Sequence, residues 1–201
     1  MKDAIEFVGL FPAAYEVETV DCPAERVDYV LGDPAYPYVD CFRITPREGE
    51  AYVVGIRTDD PGLSAALSVV LATPSPTQVC IIVRGQLYLG DVTSPETLTY
   101  QAAGRDLVLS YYASQDDGVL VLATDVILVA IDAHGLRWKT RQESVLGFNL
   151  TRIHGGILYG QVDTDLEATD FTLDLSNGRI LEGGSRSLRV LRAMKDKGRR
   201  G

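Results

Sequence analysis

Ala130-Ile131-Asp132-Ala133-His134-Gly135-Leu136-Arg137-Trp138 reads as the end of one strand, a tight reversal and the start of the next. Asp132 can accept hydrogen bonds from the turn amides, and Gly135 supplies the positive-φ position the reversal needs. Trp138 then predicts a large ring capping the sheet where it meets a neighbour. The arrangement returns at Phe171-Thr172-Leu173-Asp174-Leu175-Ser176-Asn177-Gly178-Arg179-Ile180-Leu181, with Leu181 standing for Trp138. Each copy follows another apolar strand. Gly118-Val119-Leu120-Val121 leads into the first through a turn at Thr124-Asp125, and Gly156-Ile157-Leu158-Tyr159 into the second through a longer acidic loop. A weaker copy runs from Val79 through Leu87-Tyr88-Leu89-Gly90-Asp91 to Leu98. Recurrence at about forty residues predicts propeller blades or a similar array of small sheets.

Outward from these copies, helical periodicity is nearly absent. Apolar runs rich in Val, Ile, Leu and Tyr predict strands near 16–21, 26–31, 39–44, 51–57, 66–72, 78–83, 86–91, 97–101, 107–112, 118–123, 126–132, 136–140, 146–153, 157–162, 170–174 and 179–183. Gly32-Asp33-Pro34, Pro46-Arg47-Glu48-Gly49, Asp59-Asp60-Pro61-Gly62, Asp116-Asp117-Gly118 and Asn177-Gly178 punctuate them. The expected fold is all-β, a propeller-like array of about four antiparallel blades, with a curved β-sandwich as the alternative. Helix is expected only near Leu63 to Leu67 or at the C-terminus. Residues 1–184 form the expected domain and 185–201 a basic tail.

The Ala130–Trp138 segment resembles the A-x-D-x-x-G-x-x-W blade signature of quinoprotein-type (PQQ-like) β-propellers. Residues 147–184 are similar to the ends of short bacterial proteins with such blades. There a Gly-Gly turn precedes an acidic loop and an F-x-L-D-L-x-x-G strand, here Phe171 to Gly178. The resemblance covers roughly residues 78–184 and implies blade architecture. Quinoprotein enzymes need roughly six to eight blades, and this length holds about five at forty residues each. The chain also lacks their adjacent cysteine pair, so no quinone or other cofactor is expected.

A hydrophobic fraction of 46% and a charged fraction of 23% are those of a globular protein. The most apolar stretch, Val119 to Ile131, is broken by Asp125 and falls short of the ~20 residues a membrane helix needs. Asp3 and Glu6 stand where a signal peptide would be basic and then apolar, so a cytosolic location is expected. Cys22, Cys41 and Cys80 lie at wide spacing beside strand-like residues and are expected to be small buried apolar groups. The net charge of −9 is split: from Ser185 onward seven Lys or Arg face one acid, net +6. The remaining 12 bases and 27 acids give −15, which repels phosphate backbones and excludes nucleic acid from the main body.

Chemistry-bearing residues are sparse. His134 and His154 both occupy hairpin tips, and no nucleophile elbow accompanies them or Ser144. Asp163-Thr164-Asp165-Leu166-Glu167 resembles the start of a calcium loop, but Ala168 sits at the glycine position and Asp174 at that of the bidentate Glu. A solvated acidic loop is therefore expected, with no metal. Tyr36 and Tyr38, between Pro34 and Pro37, read either as rigid interface contacts or as a lid on a sheet end. In the tail, Leu188, Leu191 and Met194 make a narrow apolar stripe among bases. The expected function is non-enzymatic binding of a protein partner, basic in charge, through Tyr36, Tyr38, Asp116, Asp117, Asp163, Asp165 and Glu167. A toxin-neutralising immunity protein is one such binder. The rival classes are a hydrolase or lyase using paired carboxylates and a small-molecule sensor.

Overall fold

The computed structural model describes residues 5–22, 26–59, 66–101, 107–141, 147–163 and 168–183. Its strands form four sheets. The first contains β2 (Tyr15–Val20), β3 (Tyr29–Gly32), β4 (Tyr38–Pro46) and β5 (Tyr52–Arg57), in the order β2-β4-β5-β3. The second is a meander of β6 (Val69–Ala72), β7 (Gln78–Val83), β8 (Gln86–Asp91) and β9 (Thr99–Tyr100), extended by β1 (Phe7–Val8) lying parallel to β6. The third runs β10 (Ser110–Ser114), β11 (Val119–Ala123), β12 (Leu128–Asp132) and β13 (Gly135–Lys139). The fourth runs β14 (Gly147–His154), β15 (Ile157–Asp163), β16 (Ala168–Asp174) and β17 (Arg179–Gly183). Every expected strand is present, and β1 is an addition. The only helical element among the described residues is a 3-10 turn at Pro95–Thr97. Residues 63–65 and the basic tail lie outside the described residues.

Alternation along the strands decides how the sheets stack. In β7, Val79, Ile81 and Val83 enter the core shared with the first sheet, while Cys80 and Ile82 enter the core shared with the third. In β11, Leu120 and Leu122 face the second sheet, and Val119, Val121 and Ala123 face the fourth. These strands are apolar on both faces and so read as unbroken hydrophobic runs. The outermost sheets alternate instead: Phe42 and Ile44 are buried while Arg43 and Thr45 are exposed. Three cores thus join the sheets in chain order, first to second, second to third and third to fourth.

Trp138 sits in the last of these cores beside Phe148 and Phe171, with 8% of its surface exposed. Its Nε1–H donates to the Leu175 carbonyl at 2.7 Å. Gly178, at φ +71°, lies against the ring so closely that a Cβ there would come within 2.7 Å of it. The turn of the fourth sheet is seated on the ring of the third, as the repeat predicts.

Two expectations need correction. In register, Ala130 pairs with Trp138, and the matching Thr172 pairs with Glu182. Glu182 therefore occupies the Trp138 position, and Leu181 is the bulge residue, 48% exposed. The turn after Asp174 is longer than the turn after Asp132, which shifts the sequence alignment by one. Second, Cys22 and Cys41 are joined in a disulfide, and only Cys80 is a free buried thiol. Cys41 pairs with Val20 across β2 and β4, which brings Cys22, just beyond the strand end, within reach.

Trp138→Ala should destabilise the fold by about 3–5 kcal/mol in a denaturant titration, and the single tryptophan should emit as a buried indole. Breaking the 19-residue disulfide link as Cys22→Ser with Cys41→Ser should cost about 3 kcal/mol by the same measurement.

Candidate functional site: an acidic turn edge

Three aspartates end the third strand of three successive sheets: Asp91 on β8, Asp132 on β12 and Asp174 on β16. Each accepts the backbone N–H two residues ahead, from Thr93, His134 and Ser176, at 2.8 Å in every case. This local bond holds both the carboxylate and the turn. Asp91 also accepts the hydroxyls of Thr93 at 2.6 Å and Thr77 at 2.7 Å. Burial alone would raise the Asp91 carboxyl, but these hydrogen bonds outweigh it and hold the group below its ordinary value. Asp174 is held low by the Ser176 hydroxyl and N–H, with Asn177 and the Arg137 charge adding to them. Arg137 also lies 3.7 Å from Asp132.

The turns line up along one edge of the stack. Tyr52 donates its hydroxyl to the Val92 carbonyl at 3.0 Å, tying the first sheet to the Asp91 turn. A Cβ at Gly135, in the Asp132 turn, would lie 3.3 Å from the Gln78 amide of the second sheet. Asp117, Arg137, Gly155, Gly156, Asp174 and Ser176 line a cleft of about 390 Å³ between the third and fourth sheets. A second cleft, about 320 Å³, lies between the first and second, where Asp28, Glu48 and Glu50 approach Thr93. A line of carboxylates therefore runs across all four sheets.

Of the seven residues proposed from sequence, those that are described do not converge. Asp116 and Asp117 lie on this edge, where Asp117 accepts the Ser114 hydroxyl at 2.7 Å. Tyr38 begins β4 and so lies at its far end, away from the turn carrying Glu48 and Glu50. Its ring packs on Gly55 beneath the Arg57 guanidinium, 4.2 Å away, which is the lid arrangement rather than an open contact. Tyr36 is 38% exposed on the adjoining loop. Asp163 ends β15 opposite the Gly155-Gly156 turn. Asp165 and Glu167 lie outside the described residues. Sequence reasoning treated Asp91, Asp132 and Asp174 as turn residues alone and did not single out Asp28, Glu48, Glu50, Tyr29 or Tyr52. The signal available was the acid flanking each turn glycine, as in Glu48-Gly49-Glu50.

His134 and His154 are exposed turn-side residues. Among the described residues, no group of three or more His, Cys, Asp or Glu is placed to hold a metal. No helix there is long and apolar enough to cross a membrane. No protein-family model matches the chain, and no curated protein matches it.

Burial of the tyrosines gives the fold an alkaline limit. Desolvation raises Tyr15 and Tyr52 well above their ordinary value of 10.0 and pushes Tyr88 up to about 12. The unfolded chain therefore releases these protons first, so their stabilisation is complete below pH 10 and is lost as pH rises beyond it. Tyrosinate absorbance should rise together with loss of β-sheet circular dichroism in that range. Tyr88→Phe should shift the midpoint to higher pH.

Proposed function

We propose that this chain is a non-enzymatic binding protein whose acidic turn edge engages a basic protein partner. The observation that carries this is the line of carboxylates across four sheets, in which Asp91, Asp132 and Asp174 are fixed by their own turns and Asp28 by β5. Rigid groups lose little freedom when a partner arrives, so more of the interaction survives as affinity. The body's net charge of −15 adds long-range attraction for a cationic surface and speeds encounter. A toxin-neutralising immunity protein would use these properties. The blade resemblance fits the same purpose, since an array of small sheets presents its turns side by side. Among rivals, carboxylate catalysis calls for one carboxyl kept protonated near neutrality. Asp91 and Asp174 are both held in the opposite direction.

The cytosolic setting belongs to this proposal and makes a chemical demand. Cytosolic reductants keep thiols free, so Cys22 and Cys41 would remain reduced there, whereas an oxidising compartment preserves their bond. Alkylation of the protein at the moment of cell lysis reads which holds.

A fluorescent oligolysine should bind with an affinity that falls steeply as salt rises, the Debye length shrinking from ~10 Å at 0.1 M to ~3 Å at 1 M. Asp116→Asn with Asp117→Asn should weaken binding several-fold, each surface charge pair contributing about 0.2–1 kcal/mol. Deleting residues 185–201 should strengthen it, because their net charge of +6 would no longer offset the body's −15. Affinity indifferent to salt, to the substitutions and to the deletion would remove the proposal.

A further inference from the structure

The cleft between the first and second sheets differs from the other clefts described. Tyr29 and Tyr52 lie in its lining, with ring centroids 5.3 Å apart and planes at 75°. Tyr52 is buried, and its hydroxyl is committed to the Val92 carbonyl, which fixes the ring. Asp28, Glu48 and Glu50 stand around the aromatic pair. Asp28 is anchored to β5 in both directions: its N–H donates to the Val53 carbonyl at 2.9 Å, and its Oδ2 accepts the Val53 N–H at 2.7 Å. Among the described residues, no Lys or Arg lines this cleft. Each of the other four described clefts contains arginine: Arg152, Arg137, Arg141 with Arg179, and Arg47.

Elsewhere two half-buried tyrosine rings each carry a guanidinium from the chain. Arg57 lies over Tyr38 at 4.2 Å, and Arg152 over Tyr159 at 4.3 Å. Here two rings and three carboxylates line one cleft with no cation among its described lining residues. Aromatic faces attract guanidinium groups, and carboxylates accept their paired N–H donors, so the lining matches arginine on both counts. The cleft volume of about 320 Å³ admits such a side chain.

We propose that this cleft, lined by Asp28, Tyr29, Glu48, Glu50 and Tyr52, receives an arginine side chain of the basic protein partner. The inference rests on the binding function proposed above and locates its anchor. In it the guanidinium lies against the tyrosine pair and donates to the surrounding carboxylates, while Thr93 and Pro95 close the side formed by the second sheet.

N-acetyl-arginine methylamide titrated into the full chain, followed by NMR, tests this. The ring resonances of Tyr29 and Tyr52 and the amides of 48–52 and Thr93 should shift together, and the citrulline analogue should leave them in place. Asp28→Asn keeps an acceptor for the Val53 N–H. Combined with Glu48→Gln and Glu50→Gln at exposed positions, it should weaken arginine binding about tenfold or more as the charge-assisted bonds are lost. Equal shifts with citrulline, or arginine shifts that survive the triple substitution, would overturn the site. If arginine fails to reach the cleft while oligolysine still binds with steep salt dependence, the anchor falls and the acidic-edge function stands. Loss of both would overturn both.

Discussion

The two inner sheets must bury both of their faces, and the rest of the structure follows from that. Ile81 and Ile82 are neighbours in β7, yet they enter different cores, and both are fully buried. Leu120 and Val121 divide in the same way in β11. A sheet of this kind cannot stand at the surface, because one side would expose a continuous apolar plane to water. It requires a neighbour on each side, and a stack built this way ends only where a sheet has a polar face to offer. Among the described residues, the fourth sheet is such an end. Where the third sheet directs Val121, Ala123, Leu128, Ala130 and Trp138 at its neighbour, the register-matched positions of the fourth hold Tyr159, Gln161, Asp170, Thr172 and Glu182. Its outer face organises itself, with Gln161 donating to Asp170 at 3.0 Å and Arg152 stacked on Tyr159. Terminal units of repeat proteins are polar on the outside for the same reason.

Much of this was legible in the sequence. Local chemistry writes a strong signature at each Asp–Gly turn, and the strands between turns are long enough to show their character. β1 escaped notice because two residues, Phe7 and Val8, carry no periodicity, and their place depends on a parallel edge of β6 more than sixty residues away. The Cys22–Cys41 bond escaped because its partners are set by the β2–β4 register, which no local feature of either cysteine reveals. The match of Trp138 with Glu182 was hidden by one change in turn length. Hydrophobic similarity drew Leu181 into the place that hydrogen-bond register gives to its neighbour.

The candidate site was less legible, for a different reason. Charge and aromatic content are properties of segments, whereas a binding edge is a property of which segment ends meet. Tyr38 and Asp117 look alike as exposed loop candidates in sequence. The fold sends Tyr38 back onto Gly55 under Arg57 and leaves Asp117 beside the Asp174 turn of another sheet. Asp28, Glu48 and Glu50 form a group only because β3 lies parallel to β5 and the β4–β5 turn reaches the Asp91 turn.

A line of like charges carries a cost, since carboxylates along one edge repel one another and work against the compact state. The protein offsets that repulsion locally. Asp28 takes the Val53 N–H, Asp91 takes three donors, Asp117 takes the Ser114 hydroxyl, and Asp174 takes Ser176 and Asn177. These donors come from turns and strand ends already ordered by folding, so they fix each carboxylate without neutralising it. A hydrogen-bonded carboxylate retains its negative charge and further lone pairs for a second donor. A cationic partner therefore need not break these bonds to bind. On the proposed function it would relieve repulsion among groups already held in position, a gain that is electrostatic rather than conformational. The bonds that keep the free protein stable would then be the same bonds that hold the edge ready for a positive surface.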